Sequence, residues 1–164
     1  MRYSRLLRHA IFAAFFILAT DLCLLPGDSA GTDSELHDIE LQVQQLVNNA
    51  RKTARLPQLS WNEQLALEAR RHARNMIHKR FFSHQDPTRG NIDNRLDKSG
   101  IEWMQCGENL YWERGYNDPA VKAVKAWLES PEHRNTMLNS RFMQAGVGVA
   151  RKSDGALFIV QVFI

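Results

Sequence analysis

Cysteine is scarce in this chain, with Cys23 and Cys106 the only two in 164 residues. That excludes a disulfide-stapled scaffold, and it excludes zinc sites built from paired CxxC motifs. No HExxH pattern occurs, so one helix alone cannot supply a metalloprotease centre. Internal repeats and low-complexity tracts are also missing. Long apolar runs reduce to one, AIFAAFFILAT from Ala10 to Thr20, whose eleven residues are too few for a comfortable membrane span. Extended to Leu25, the run would carry Asp21 inside it. Strong charge of either sign is lacking too: the formal net charge is +3. The sequence pI of about 9.1 includes three early arginines, and aromatic and basic residues do not interleave along the chain, so nucleic acid is not an expected partner.

What is present suits one soluble globular domain, with 44% hydrophobic and 24% charged residues. The first thirty residues stand apart from it. Arg2, Arg5 and Arg8 ahead of the short apolar run describe a secretory signal. Ala30 is the expected last residue removed. Asp28 occupies a place where a small residue is usual, so an uncleaved membrane anchor is the alternative. Lipidation at Cys23 is rejected, because Leu22 and Thr20 suit neither flanking position of a lipoprotein signal. The expected domain is 31–164, monomeric, and secreted or periplasmic. Without its leader it keeps only Cys106, so it must stand on its core. Its length of about 134 residues is enough for that.

Along the domain, Gly31–Asp33 reads as linker. Ser34 can then cap a helix with apolar positions at Leu36, Ile39, Val43, Leu46, Val47 and Ala50. Arg51, Lys52 and Arg55 suit its carboxyl end, and Pro57 breaks it. Ser60-Trp61-Asn62-Glu63 has the form of a capping box opening a second helix. Leu65, Ala69, His72, Ala73 and Met76 share its apolar face, with Glu68, Arg70, Arg71, Arg74 and Lys79 mostly on the others. SHQDPTRGN (83–91) reads as a loop, 91–98 as a short helix, and CGENLYW (106–112) as a strand. Asp118-Pro119 starts a third main helix, with Val121, Val124, Trp127 and Leu128 as its stripe. Ser130-Pro131 ends that helix and begins a short one. AGVGVA and ALFIVQVFI are strands joined through Asp154-Gly155, a strong hairpin signal. The last strand is apolar on both faces and belongs mid-sheet. The order predicts a small mixed sheet with helices on both faces.

Three ionisable residues sit at the edges of elements: His84, Glu108 and His133. A buried carboxylate at Glu108 needs a partner. His133 lies in the first turn of a helix, where the dipole disfavours its cation. Two neutral imidazoles and a carboxylate make a divalent site with open positions, zinc above all. Their spacing along the chain does not itself select that reading over two surface histidines and a carboxylate bonded to strand backbone. Asn109 is expected to bond backbone, Trp127 and Leu128 to be core, and His72 to be packed with Glu68 as its helical partner. Cys106 lacks the adjacent base that a nucleophile needs. Arg70, Arg71, Arg74, Lys79 and Arg80 form a basic helical side, solvated in the plain reading and able to meet an anionic envelope surface in the functional one.

SH at 83–84, GEN at 107–109, AWLESPEHRNTML at 126–138 and GVGVA at 146–150 together resemble the bacterial branch of the CAP superfamily. That superfamily comprises cysteine-rich secretory, antigen 5 and pathogenesis-related 1 proteins, and the likeness extends over roughly Leu36 to Phe163. The resemblance implies a three-layer α-β-α sandwich with a mainly antiparallel sheet. It also implies a cleft constellation of two His and two acidic residues that holds a divalent cation in some members. His84, Glu108 and His133 match three of the four. The position of the second acid is Ser130 here, and Glu129 lies one residue earlier, about 100° around the helix from it. The set expected to bind metal is therefore His84, His133 and Glu108. Functionally, the resemblance implies a secreted, non-enzymatic binding module that takes a small or lipid-like cleft ligand. The alternative is a metal-dependent, protease-like hydrolase using the same cleft, although no second carboxylate is assured as its base.

Overall fold

The computed structural model describes residues 29–115 and 117–164, with side chains from Asp33 on. The signal-segment reading of the amino terminus falls almost wholly outside these residues. Nine elements follow one another: α1 (Ser29–Thr53), β1 (Ser60–Trp61), α2 (Glu63–Lys79), α3 (Ile92–Lys98), β2 (Gly107–Glu113), α4 (Pro119–Glu129), α5 (Pro131–Met137), β3 (Gln144–Arg151) and β4 (Leu157–Phe163).

The strands form one sheet in the order β1-β3-β4-β2. β1 runs parallel to β3, and the other pairings are antiparallel. β4 lies between β3 and β2 as its unbroken apolar composition requires, and its residues bury alternately on the two sides. Ile159 and Phe163 join Val43 and Val47 of α1 and Trp127 of α4. Val160 and Val162 join Leu65, Ala69 and Met76 of α2. The result is the expected α-β-α sandwich, with α1, α4 and α5 on one face and α2 and α3 on the other.

Glycine sets how closely α2 approaches the sheet. A Cβ on Gly148 would lie 2.0 Å from the backbone nitrogen of Arg70, and one on Gly146 would lie 2.2 Å from that of Ala66. The alternating GVGV run thus leaves bare backbone under α2 and sends Val147 and Val149 into the opposite core.

Several local expectations need correction. α1 already runs at Ser29, so Gly31–Asp33 is helical rather than linker and Ser34 is an interior position, not the cap. Ser60-Trp61 is not a capping box but a short strand along β3. The cap is Asn62, whose side chain accepts from the backbone N–H groups of Gln64 and Leu65. Val121 is exposed, and Ala120 and Ala123 take its place in the buried stripe of α4. Arg51 stands in the last turn of α1 as expected, but it does not face solvent. It is fully buried, and its guanidinium donates to the carbonyls of Pro57, Met137, Asn139 and Phe142 at 2.9–3.1 Å. Glu68 is not on the wet side of α2 but 1% exposed.

A histidine–carboxylate–arginine edge as candidate site

β2 is an edge strand, and its alternation divides its side chains between the two layers. Glu108, Leu110 and Trp112 face the α2 side, where Leu110 joins that core. Asn109 and Tyr111 face the α4 side. The 83–86 loop and α3 flank this edge on one side, and α5 flanks it on the other.

Glu108 is buried, and its partner is Arg95 of α3, a residue the sequence reading did not single out. Arg95 is fully buried, and its Nη2 pairs with Glu108 Oε2. The same guanidinium donates to the carbonyl of His84 at 2.8 Å, and its Nε lies 3.4 Å from Glu68 Oε1. Glu68 is also held by Arg89 at 2.5 Å and by the Ser99 hydroxyl at 2.8 Å. Two buried carboxylates and their arginines thus form one network beneath the edge, as buried charge demands.

His84 completes the Glu108 contacts, with Nδ1 2.8 Å from Oε1. An ionised carboxylate can only accept, so Nδ1 carries a proton, and in the neutral form of the ring the lone pair is on Nε2. The ring itself is about half exposed. His133 is held by a different device. Its Nδ1 lies 2.8 Å from Ser130 Oγ, and its carbonyl accepts from the Asn109 amide at 3.0 Å. Ser130 therefore binds the histidine and makes no side-chain cap to α5. Burial, and then the neighbouring charge of His84, hold the His133 imidazole below its ordinary value.

The expected constellation is thus assembled in part. His84 and Glu108 are bonded, and a charge on His84 would oppose one on His133. Glu129 is exposed, 3.8 Å from Lys125, and joins none of the three. Among the described residues, no group of three His, Cys, Asp or Glu side chains is arranged to hold a metal ion. Both imidazoles engage Nδ1, on Glu108 and Ser130 respectively, so Nε2 is the nitrogen each leaves for a ligand. Glu108, its oxygens taken by His84 and Arg95, fits the role of an outer partner that orients His84 better than that of a direct ligand.

Other single-residue readings resolve similarly. Asn109 bonds backbone as expected, though that of α5. His72 is packed as expected, but its Nε2 bonds the Ser83 carbonyl at 3.0 Å, not Glu68, and Asp86 lies 4.0 Å from its Nδ1. Burial raises the Cys106 thiol to about 11, unlike a nucleophile. Of the basic residues on α2, Arg70 is bound to Glu40 and Glu63, and Lys79 to Asp86. A sequence signal for Glu68 did exist: it stands three residues after Leu65 and four before His72, on the buried face. Arg95 carried none, since NIDNRLDK reads as an ordinary polar helix.

Burial holds the fully enclosed His72 below its ordinary value of 6.5. The unfolded chain therefore takes up this proton more readily than the folded one, and stability must fall as pH drops below about 6.5. Thermal melts between pH 8 and 5 should show that loss, and His72→Gln should lessen it, with His133 contributing a remainder of the same sign. An equal slope in the variant would contradict the assignment. Asp86, held low by its hydrogen bonds against the effect of burial, contributes stability that is lost only at much more acid pH.

The family model for the cysteine-rich secretory protein family, CAP, matches residues 44–163. The chain belongs to the CAP family. It is 37% identical over 113 residues to the uncharacterized membrane protein YlbC of Bacillus subtilis, covering 69% of this chain and 32% of that one. To YkwD of the same organism it is 35% identical over 115 residues, covering 70% and 44%. The chain thus spans less than half the length of these relatives. A solved extracellular SCP-domain protein from Bacillus anthracis superposes with a TM-score of 0.76 at 32% identity, over 85% of this chain and 44% of that one. An outer surface protein of Borrelia burgdorferi shares the fold at 21% identity and a TM-score of 0.66, over 74% and 87%. No described helix of this CAP domain is long and apolar enough to cross a membrane.

Proposed function

We propose that this CAP domain is a non-enzymatic binding module acting outside the cytoplasm, whose ligand meets His84 and His133 at the outer edge of β2. The observation that carries this reading is the engagement of Glu108. With one oxygen on His84 and the other on Arg95, it is a fixed positioning group rather than a free base. Glu129, the remaining carboxylate of the expected set, is exposed and paired with Lys125. A hydrolase at this edge would lack a free carboxylate as general base, and the two imidazoles are the ligands proposed for the cation. Arg95 does two things here: it neutralises Glu108, and it holds the His84 backbone through the carbonyl.

A divalent cation is part of the proposal, with His84 and His133 its protein ligands through Nε2. Bound there, it would supply a Lewis-acid anchor for an anionic or carbonyl-bearing ligand. Imidazole donors favour zinc. The hydrogen bond from His84 to Glu108 fixes the ring's orientation and leaves Nε2 for the ion.

Metal analysis after equilibration with zinc should give about one equivalent for the wild type and none for the His84→Ala, His133→Ala double variant. Glu108→Gln should retain the ion with affinity lowered about 10- to 100-fold. Equal content in wild type and double variant would overturn the cation site. Chelator-sensitive hydrolysis of peptide or ester substrates, abolished in the double variant, would overturn the non-enzymatic reading.

A further inference from the structure

A second candidate site lies on the same face as Glu108, at the far end of β2. The 81–84 stretch leads from it directly to His84. Phe82 and Trp112 are both about half exposed, at 46% and 52%, and they flank Phe158 of β4. The Trp112 ring stacks on that of Phe158 at 6.4 Å, and Phe82 meets Phe158 edge-on at 6.2 Å. These rings floor an open groove of about 470 Å³, closed at its inner wall by Met76, Ile77 and Phe81. Arg80, Arg114, Lys152 and Asp154 also line it. Three cations against one carboxylate leave the groove positive. Asp154 keeps its place there by a 2.8 Å contact with Lys152 and a longer one of 3.7 Å with Arg114.

An adjoining pair of large exposed aromatics needs explanation, since contiguous apolar surface on a soluble domain usually marks a binding site. The groove is open, so a wholly apolar occupant would be left half wet. A sugar ring suits it better, with one apolar C–H face for an aromatic ring and a hydroxylated rim for water. The excess of cations favours an occupant that carries acid groups, and an open rim leaves the hydroxyls of such a chain in water.

We infer that the Trp112–Phe158–Phe82 groove binds a segment of an acidic polysaccharide, with sugar rings on the aromatics and acid groups on Arg80, Arg114 and Lys152. The site stands independently of the histidine edge and needs no metal. It also relocates the contact with an anionic envelope surface. Arg70 and Lys79 of α2 are each held by buried carboxylates, Glu40 and Asp86, whereas Arg114 and Lys152 share the single part-exposed carboxylate of Asp154 and Arg80 also lines the groove.

The test is titration of the full-length chain with an oligogalacturonate, a neutral malto-oligosaccharide of equal length, and phosphatidylglycerol vesicles, read by calorimetry and tryptophan fluorescence. The acidic oligomer should bind, weaken with added salt, and exceed the neutral one by about tenfold or more. Trp112→Ala should lower its affinity about tenfold, and Trp112→Phe should restore most of that. The Arg114→Gln, Lys152→Gln double variant should lose about tenfold as well, with circular dichroism unchanged. His84→Ala should bind the oligomer like wild type, which separates this site from the proposed cation site. Failure of the acidic oligomer to bind would overturn the inference. So would equal binding of the neutral oligomer, indifference to Trp112→Ala, or vesicle binding that needs Trp112 while the oligomer does not bind.

Discussion

Replacing Arg95 by methionine will cost the fold about 3–5 kcal/mol, the range for breaking a buried ion pair by removing one partner. The side chain is fully enclosed and serves Glu108, Glu68 and the His84 carbonyl at once. Its loss leaves Glu108 without its cation in a place closed to solvent. Lysine will not restore the wild type, because one ammonium cannot reproduce a planar fork that donates to Glu108 and to the His84 carbonyl from separate nitrogens. Removing both charges, as in Arg95→Met with Glu108→Leu, should cost less than Arg95→Met alone, since no unpaired carboxylate then remains. Urea denaturation of the four proteins in a double-mutant cycle measures each term. An Arg95→Met variant within about 1 kcal/mol of wild type would show that this network does not hold the edge together.

Arg51→Met should have a comparable effect, about 3–5 kcal/mol, for a different reason. Among the described residues, no carboxylate pairs with this guanidinium. It is solvated by four carbonyls, those of Pro57, Met137, Asn139 and Phe142, which come from the loop after α1, the end of α5 and the loop before β3. Met137 lies at the carboxyl end of α5, where unsatisfied carbonyls attract a cation. Removing the arginine orphans these acceptors in a dry place and unties three chain segments from α1. Arg51→Lys should recover part of the loss. The comparison is again by denaturant unfolding, and a neutral Arg51→Met would mean that water replaces the guanidinium at no cost.

Both residues show where reading the chain alone stops. The apolar periods of α1, α2 and α4 were legible, because a helical stripe repeats locally and needs no knowledge of what it packs against. The β3–β4 hairpin was legible from Asp154-Gly155, and the central place of β4 from its two apolar faces. The positions of His84, Glu108 and His133 could be marked. What joins them could not, because Glu108 meets Arg95 thirteen residues away in a helix of ordinary composition. β1 was missed because a two-residue strand has no period, and its pairing with β3 spans more than eighty residues.

The sequence by itself determined the layers: which stripes bury, where the chain turns, and which motifs stand at the edge of β2. Tertiary structure alone decided which charges go inside. Glu40, Arg51, Glu68 and Arg95 have the composition of surface residues, and each is buried with a partner brought from far along the chain or from another element. A long charged side chain reads the same in sequence whether water or a distant carbonyl satisfies it. Only the packed fold supplies the partner that makes burial cheaper than solvation.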